Sequence, residues 1–130
     1  YGDGICDVDI NALLKFHRSH GKIATLTAVQ PPSKLGALNF DDGDTVKVFS
    51  EKPNNGGWFN GGYFIFEPAV FDYLSTDDNC ILERAPLERL ATDGQLCAYK
   101  HHGFWQCVDT IRELEHVNDL WNDGEASWKR

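Results

Sequence analysis

The feature that most constrains this chain is an amphipathic helix followed at once by a strand that is apolar along most of its length. The helical stripe consists of Ile10, Leu13, Leu14 and His17. Asp7 can cap this helix, which we expect over residues 8–20, and Gly21 is a suitable stop. Residues 23–29 are rich in β-branched side chains and end before two prolines, which is typical of a strand covered on both faces. A helix leading into a covered strand is half of a βαβ unit, so an α/β fold is expected.

Further along the chain, local patterns alternate between strands and helices. A turn at residues 41–44 sits between two short apolar runs and predicts a β-hairpin over 38–40 and 46–49. Strands are predicted at 63–66, 96–100 and 104–108, and helices at 68–74 and 86–91. Thr110 and Glu113 form a capping box for a last helix that ends near Gly124. The prediction is a mixed sheet with a hairpin excursion and flanking helices.

Charge and composition exclude several classes of function. The chain has 130 residues, enough for one domain, and a net charge of -8. A surface of that sign repels polyanions, so nucleic acid and anionic membranes are poor partners. No apolar run is long enough to span a bilayer. A small anionic substrate is still compatible with this charge, because a local Lys or Arg side chain can outweigh distant carboxylates.

The four cysteines predict reduced, mostly buried thiols in a cytoplasmic protein. Cys6, Cys80, Cys97 and Cys107 form no C-x-x-C pair, which argues against a disulfide framework. Cys107 stands two residues before Asp109, but no second close cysteine or histidine completes a zinc spacing. The histidine pairs at 17/20 and 101/102 are expected to be solvated or partly packed.

Two aspartates stand where a catalytic metal could bind. Asp3 lies between two glycines just past an expected strand that would end at Tyr1, and Asp109 follows the apolar run 104–108. Each could simply form a turn. Together, two carboxylates at strand ends suit Mg²⁺, which is held by one or two carboxylates plus substrate phosphates. That constellation is typical of nucleotidyl or phosphoryl transfer.

Two further motifs could bind a sugar phosphate. Glu51 and Lys52 precede Pro53, which holds the pair extended beside a glycine-rich loop. Lys52 could meet a phosphate and Glu51 could accept from sugar hydroxyls, although a solvated ion pair explains the same residues. In Asn60-Gly61-Gly62 the Asn60 side chain offers a hydrogen-bond donor and an acceptor, and the two glycines leave room for a ligand to approach the backbone. The alternative explanation for these residues is a bulge in an apolar strand.

In this order the motifs resemble the sugar-1-phosphate nucleotidyltransferases. The resemblance rests on Gly2-Asp3-Gly4, Glu51-Lys52-Pro53, Asn60-Gly61-Gly62 and Trp105-x-x-x-Asp109-Thr110. The glucose-1-phosphate cytidylyltransferase branch is similar over essentially the whole chain, including residues 9–13, 17–22, 27–32, 86–96 and 105–106. One departure is Ser33-Lys34-Leu35-Gly36, where that branch has a Gly-Arg-Phe-Gly-like loop.

The resemblance implies a Rossmann-like nucleotidyltransferase fold and a reaction. CTP and α-D-glucose 1-phosphate would give CDP-glucose and pyrophosphate, with Mg²⁺ as cofactor. By the same resemblance Asp3 and Asp109 would hold the metal, and Lys52 would bind the sugar phosphate. Glu51 would bind sugar hydroxyls, while Asn60 and Gly61 would line the sugar pocket.

The resemblance also implies that these residues are the C-terminal half of the nucleotidyltransferase domain. The N-terminal glycine-rich loop that binds the triphosphate would then lie elsewhere, and the isolated chain is expected to be inactive. A UTP- or dTTP-dependent enzyme remains an alternative. So does a non-catalytic sugar-phosphate-binding or oligomerisation module, since Trp121 and Trp128 would suit the subunit interface of a homo-oligomer.

Overall fold

The computed structural model describes residues 1–30, 37–40, 46–50 and 57–129. The described strands are β1 Gly4–Cys6, β2 Ala24–Val29, β3 Ala37–Phe40, β4 Val46–Ser50, β5 Phe59–Phe66, β6 Leu96–Lys100 and β7 Trp105–Cys107. The helices are α1 Ile10–His20, α2 Ala85–Thr92 and α3 Ile111–Asn122, with a 3₁₀ helix at Pro68–Tyr73. Within these ranges no helix is both long and apolar enough to cross a membrane.

The strands form three hydrogen-bonded groups. β2 is the centre of a three-stranded sheet, antiparallel to β5 and parallel to β6. β3 and β4 form an antiparallel hairpin, and β1 and β7 form an antiparallel ribbon. The mixed sheet and the hairpin excursion are therefore confirmed.

β2 is buried on both faces, as its composition predicts. Five of its six residues are buried. On one face Ala24 packs in a cluster with Val70, Leu87 and Leu90, which brings the 3₁₀ helix and α2 against the sheet. Fully burying a leucine such as Leu90 contributes about 1.5–3 kcal/mol relative to exposure. On the other face the Thr25 hydroxyl lies within hydrogen-bond distance of His17 and His20 of α1.

Helix α1 begins two residues later than predicted, and its cap is Asp9. The Asp9 carboxylate accepts from the backbone N–H groups of Asn11 at 2.9 Å and Ala12 at 3.2 Å. Asp7 is engaged elsewhere: its carboxylate accepts from Phe104 N at 2.8 Å. The expectation that Asp7 caps the helix is wrong because a contact 97 residues away in sequence uses its side chain. The helix ends as predicted, with Gly21 in the left-handed region at φ 64°.

Two other elements differ from the sequence-based expectation. Residues 4–6 form β1, which local patterns do not indicate because a three-residue strand has too little alternation to detect. β5 starts at Phe59 rather than Tyr63, and its pairing with β2 shifts register between Leu26 and Ala28. The strand bulge that is the alternative explanation for Gly61 and Gly62 is thus present. The capping box of α3 is confirmed.

A chain of hydrogen bonds crosses the interface between α1 and β2. Lys22 N–H donates to His20 Nδ1 at 2.9 Å, so His20 Nε2 is the nitrogen that donates to Thr25 Oγ1, at 2.6 Å. The Thr25 hydroxyl can then donate to His17 Nδ1 at 2.7 Å. His17 Nε2 lies 2.8 Å from Glu67 Oε1 and donates to it. His17 is 2% exposed, more buried than the sequence suggests, and the direction of donation satisfies every group in the chain.

We predict that Thr25→Val destabilises the protein by about 1–3 kcal/mol, because it leaves two histidine nitrogens without their shared partner. The matched control is Thr27→Val on the same strand. Thr27 is equally buried, but its hydroxyl has no hydrogen-bond partner among the described residues. Thr27→Val should therefore be neutral or stabilising. Urea unfolding measures both variants, and equal losses would contradict the network.

We also predict that acid weakens the fold through His20. Burial lowers the pKa of His20 below 6.5, and repulsion between two protonated imidazoles (His17 and His20) and repulsion from Lys22 lower it further. The unfolded chain then binds the His20 proton more tightly than the folded chain, so stability falls as pH drops below 6.5. The free energy of unfolding should decrease between about pH 7.5 and about pH 5.5, and His20→Gln should make that decrease smaller. The same decrease in both proteins would rule out His20 as its source.

Candidate functional site

Two aspartates from opposite ends of the sequence meet at one end of the β1–β7 ribbon. In the antiparallel register Gly4 lies opposite Cys107, and Val108 N donates to the Asp3 carbonyl at 2.7 Å. Asp3 directly precedes β1, and Asp109 follows β7 by two residues. The strand expected to end at Tyr1, just before Asp3, stays a prediction. The start of one antiparallel strand lies beside the end of its partner, and this brings the carboxylates together.

The thiol of Cys107 lies between these carboxylates. Its Sγ is 3.2 Å from Asp109 Oδ2 and 3.5 Å from Asp3 Oδ2. The hydrogen bond to Asp109, then burial and the hydrogen bond to Asp3, raise the pKa of Cys107 to about 12. The thiol therefore keeps its proton and donates. The pKa of Asp3 lies below its ordinary value because of its own backbone N–H, Asp109 and Cys107.

The donor set fits a hard divalent cation. One ligand atom from each of Asp3, Cys107 and Asp109 lies within 4.8 Å of the others, and both carboxylates are exposed. Mg²⁺ takes oxygen ligands, commonly one or two carboxylates together with substrate phosphates. Because Cys107 keeps its proton, it donates a hydrogen bond to a carboxylate and does not act as a thiolate ligand of the metal. The residues present thus suit Mg²⁺ bound by Asp3 and Asp109, a role that stays a prediction.

Glu113 fixes the backbone at Asp109. Its Oε1 accepts from Asp109 N at 3.3 Å and from Thr110 N at 3.1 Å, while Glu113 N donates to Thr110 Oγ1 at 3.2 Å. The second oxygen, Oε2, accepts from the Gln106 amide at 3.1 Å. The capping box therefore starts α3 and also orients the segment that carries the candidate metal ligand.

Asn60 lies at the other candidate region, opposite Ala28 near the carboxyl end of β2. The Asn60 Oδ1 accepts from Gly62 N at 2.8 Å, and its Nδ2 donates to the Tyr1 hydroxyl at 3.0 Å. Tyr1 in turn donates to Glu83 Oε1. Sequence reasoning did not single out Tyr1 or Glu83. Glu83 has no local signal, since it reaches Tyr1 only through the tertiary fold.

The two glycines after Asn60 are required by packing. A Cβ at Gly61 would lie 2.9 Å from Val29 Cγ1 and 3.0 Å from the Thr27 carbonyl. Gly62 has φ 83°, and a Cβ there would lie 2.7 Å from the Tyr1 ring. These contacts explain both glycines without a ligand. The proposed sugar-lining role of Asn60 and Gly61 stays a prediction.

Glu51 and Lys52 lie outside the described residues. Their predicted roles with the sugar hydroxyls and the sugar phosphate therefore stay predictions. The same holds for the loop at residues 33–36.

Residues 1–123 match the family described as nucleotidyl transferase. A probable glucose-1-phosphate cytidylyltransferase of Bacillus subtilis is 43% identical over 129 residues, which are 99% of this chain and 50% of that protein. The glucose-1-phosphate cytidylyltransferase of Salmonella typhi is 46% identical over 130 residues, again 99% of this chain and 50% of that protein. This chain thus spans about half the length of the curated relatives it matches.

Solved structures show the same fold at much lower identity. A crystal structure of a putative glucose-1-phosphate thymidylyltransferase from Bacillus anthracis, in complex with sucrose, superposes with a TM-score of 0.62 at 19% identity. The superposition covers 94% of this chain and 52% of that one. The predicted nucleotidyltransferase-like α/β fold is confirmed.

We predict that Asp109→Asn makes Cys107 more reactive. Removing this carboxylate removes the largest cause of the raised pKa, and each pKa unit recovered increases the thiolate fraction about tenfold. Iodoacetamide labelling at about pH 8, followed by peptide mass spectrometry, reads out each cysteine separately. Cys80 in the same sample is the internal control and should label at the same rate in both proteins. An unchanged Cys107 rate would contradict the geometry of this cluster.

Proposed function

The chain belongs to the nucleotidyl transferase family, and from that premise we propose that it carries the sugar-phosphate and metal side of a glucose-1-phosphate cytidylyltransferase. The reaction is the transfer of the cytidylyl group of CTP to α-D-glucose 1-phosphate, with release of pyrophosphate. The observation that carries the proposal is the meeting of Asp3 and Asp109 at one end of the β1–β7 ribbon. These residues are 106 positions apart in the sequence, and the β1–β7 pairing places one oxygen of each carboxylate within 4.8 Å of the other, which suits shared binding of a cation.

The chemistry asks for positioning and charge compensation. The phosphate oxygen of the sugar phosphate attacks the α-phosphorus of the nucleotide, and pyrophosphate leaves, so no protein nucleophile forms a bond. A bound Mg²⁺ would offset negative charge on the attacking and leaving phosphates. Asp3 and Asp109 would hold it, and the single S–H of Cys107, which lies nearer to Asp109 (3.2 Å) than to Asp3 (3.5 Å), would orient the Asp109 carboxylate. Lys52 would bind the sugar phosphate as a point charge.

The sugar end of the substrate would lie along β5. Asn60 is exposed at the carboxyl end of β2, the end at which ligands of open α/β sheets bind. Its amide keeps one N–H and one lone pair beyond the two contacts it makes. Glu51 and Gly61 would complete the pocket for the sugar hydroxyls and ring.

CTP is proposed as the nucleotide because the relatives at 43–46% identity are named for cytidylyl transfer. UTP and dTTP are the alternatives, and the solved structure named for thymidylyl transfer has the same fold. Cytoplasmic location, like assembly into a homo-oligomer, is part of this proposal.

A second candidate is a non-catalytic module that assembles through α3. This helix exposes Ile111 by 76%, Leu114 by 48% and Trp121 by 47%. These residues lie at helical spacing, so they share one apolar face. That observation favours a protein contact without excluding catalysis by the same chain.

We predict that Asp3→Asn and Asp109→Asn each lower kcat by about 10²–10³, since removing one electrostatic stabiliser costs about 2.7–4 kcal/mol. The assay is pyrophosphate release from CTP, UTP or dTTP with glucose 1-phosphate and Mg²⁺. It uses a protein of the relatives' length that carries these 130 residues, called the full-length carrier below. CTP should give the highest kcat/KM.

The matched control is Asp9→Asn, which makes the same chemical change. Asn caps a helix as well as Asp does, so this variant should keep wild-type activity. No turnover with any nucleotide would favour the non-catalytic module. Full activity in either site variant at saturating Mg²⁺ would remove that aspartate from the metal site.

A further inference from the structure

We propose that Tyr1 and Glu83 form the hydroxyl-recognising edge of the sugar site, with Glu83 contacting the sugar and Tyr1 positioning both Glu83 and Asn60. The inference rests on the proposed function and adds a specificity-determining residue and a positioning residue to it. Its starting point is the hydrogen-bonded chain from Asn60 through Tyr1 to Glu83.

Counting donors and acceptors shows what remains for a ligand. Asn60 Nδ2 donates one of its two hydrogens to Tyr1, and Oδ1 accepts from Gly62 N, which fixes which way the amide points. Tyr1 uses its hydroxyl hydrogen on Glu83 Oε1. One Asn60 N–H is therefore available, and the Glu83 carboxylate, which also accepts from its own backbone N–H, keeps lone pairs for a ligand. A donor beside an acceptor on an exposed edge is the pattern that binds neighbouring sugar hydroxyls, each of which both donates and accepts.

Tyr1 is held by packing as well as by these bonds. Its ring lies 5.5 Å from the Phe64 ring, centroid to centroid, and fits over Gly62, where any Cβ would collide with it. Three segments meet there: the turn before β1, strand β5 and the segment leading into α2. Tyr1 is also only two residues from Asp3. The same short turn thus carries a candidate metal ligand and the hydroxyl that orients the candidate sugar contacts.

The charge state suits a neutral group of the ligand. Tyr1 donates its hydroxyl hydrogen to a carboxylate oxygen of Glu83. The hydrogen bond from Tyr1 lowers the pKa of Glu83, so the carboxylate is ionised. An ionised carboxylate repels phosphate and accepts strongly from hydroxyls. The Glu83 edge therefore faces the hydroxyl side of a sugar 1-phosphate, and the phosphate must point away from it.

The test is steady-state kinetics of Tyr1→Phe and Glu83→Gln in the full-length carrier, with glucose, galactose and mannose 1-phosphates. Both variants should raise the KM for glucose 1-phosphate by about three- to tenfold, as expected for one lost hydrogen bond of about 0.5–1.5 kcal/mol. The KM for CTP should stay within about twofold. Glu83→Gln should also change the ratio of kcat/KM among the three sugars, because a single acceptor reads the position of one hydroxyl.

Combining Tyr1→Phe with Asn60→Ala separates positioning from general packing. If Tyr1 acts through Asn60 as well as through Glu83, the loss in the double variant should be smaller than the sum of the two single losses, because Asn60→Ala already removes one of the two groups that Tyr1 positions. Tyr73→Phe is the matched control, since Tyr73 also donates to an exposed carboxylate, Asp93 Oδ2 at 2.6 Å, but on the 3₁₀ helix. Its kinetics should match the wild type.

The outcomes distinguish this inference from the proposed function. An active wild-type carrier whose Tyr1→Phe and Glu83→Gln variants keep the wild-type KM and sugar ratios would overturn the inference and leave the proposed function standing. Equal increases in the KM for CTP and for the sugar would overturn it too. A wild-type carrier without turnover would contradict the proposed function itself. Thermal unfolding of each variant checks that a change in kinetics is not caused by loss of the fold. If Tyr1→Phe unfolds, Glu83→Gln, which changes an exposed residue, still tests the inference.

Discussion

The burial of β2 between two layers is the constraint on which the rest of the structure depends. Its Ala24 face packs against Leu87 and Leu90 of α2, and its Thr25 face bonds to two histidines of α1. Because the same strand pairs with β5 on one side and β6 on the other, it sets the position of both. The two faces use different physics. The α2 side is apolar burial, which tolerates small shifts, whereas the α1 side is a directed chain of hydrogen bonds that requires fixed partners.

The β1–β7 ribbon is fastened to this sheet by side chains. Trp105 Nε1 donates to the Gly61 carbonyl at 2.9 Å, and the Tyr63 hydroxyl donates to the Gly4 carbonyl at 2.8 Å. Each such bond contributes only about 0.5–1.5 kcal/mol, so the ribbon depends on several acting together. The candidate metal carboxylates sit at the end of this ribbon. The geometry of these carboxylates therefore depends on how firmly the β1–β7 ribbon is attached to β5.

This arrangement links the two halves of the candidate site. Gly61 accepts the bond that anchors the ribbon, and its neighbour Asn60 begins the chain to Tyr1 and Glu83. A single stretch of β5 thus supports the candidate metal end and offers the candidate sugar contacts. For a transfer reaction that depends on positioning, such shared support keeps the two substrate ends in a constant relation. From the α3 side, Glu113 also fixes the position of Asp109 by accepting a hydrogen bond from its backbone N–H.

Much of the fold follows from local sequence, and most of the site does not. Helix α1 with its Gly21 end, the covered strand β2, the hairpin and the Thr110–Glu113 capping box all arise from residues close in sequence, whose periodicity and turn chemistry are readable directly. The choice of Asp9 over Asp7 as helix cap was missed because Phe104, far along the chain, competes for the Asp7 carboxylate.

The aspartates could be singled out from the sequence as candidate ligands, but only the tertiary structure brings them together around Cys107, 104 residues from Asp3, and raises the pKa of that thiol. Tyr1 and Glu83 meet for the same reason, 82 residues apart. Local sequence determines which conformations a segment prefers, whereas the pairing of distant strands determines which side chains share a surface. That pairing is set by the burial of whole faces, a property of the assembled chain that no single segment carries.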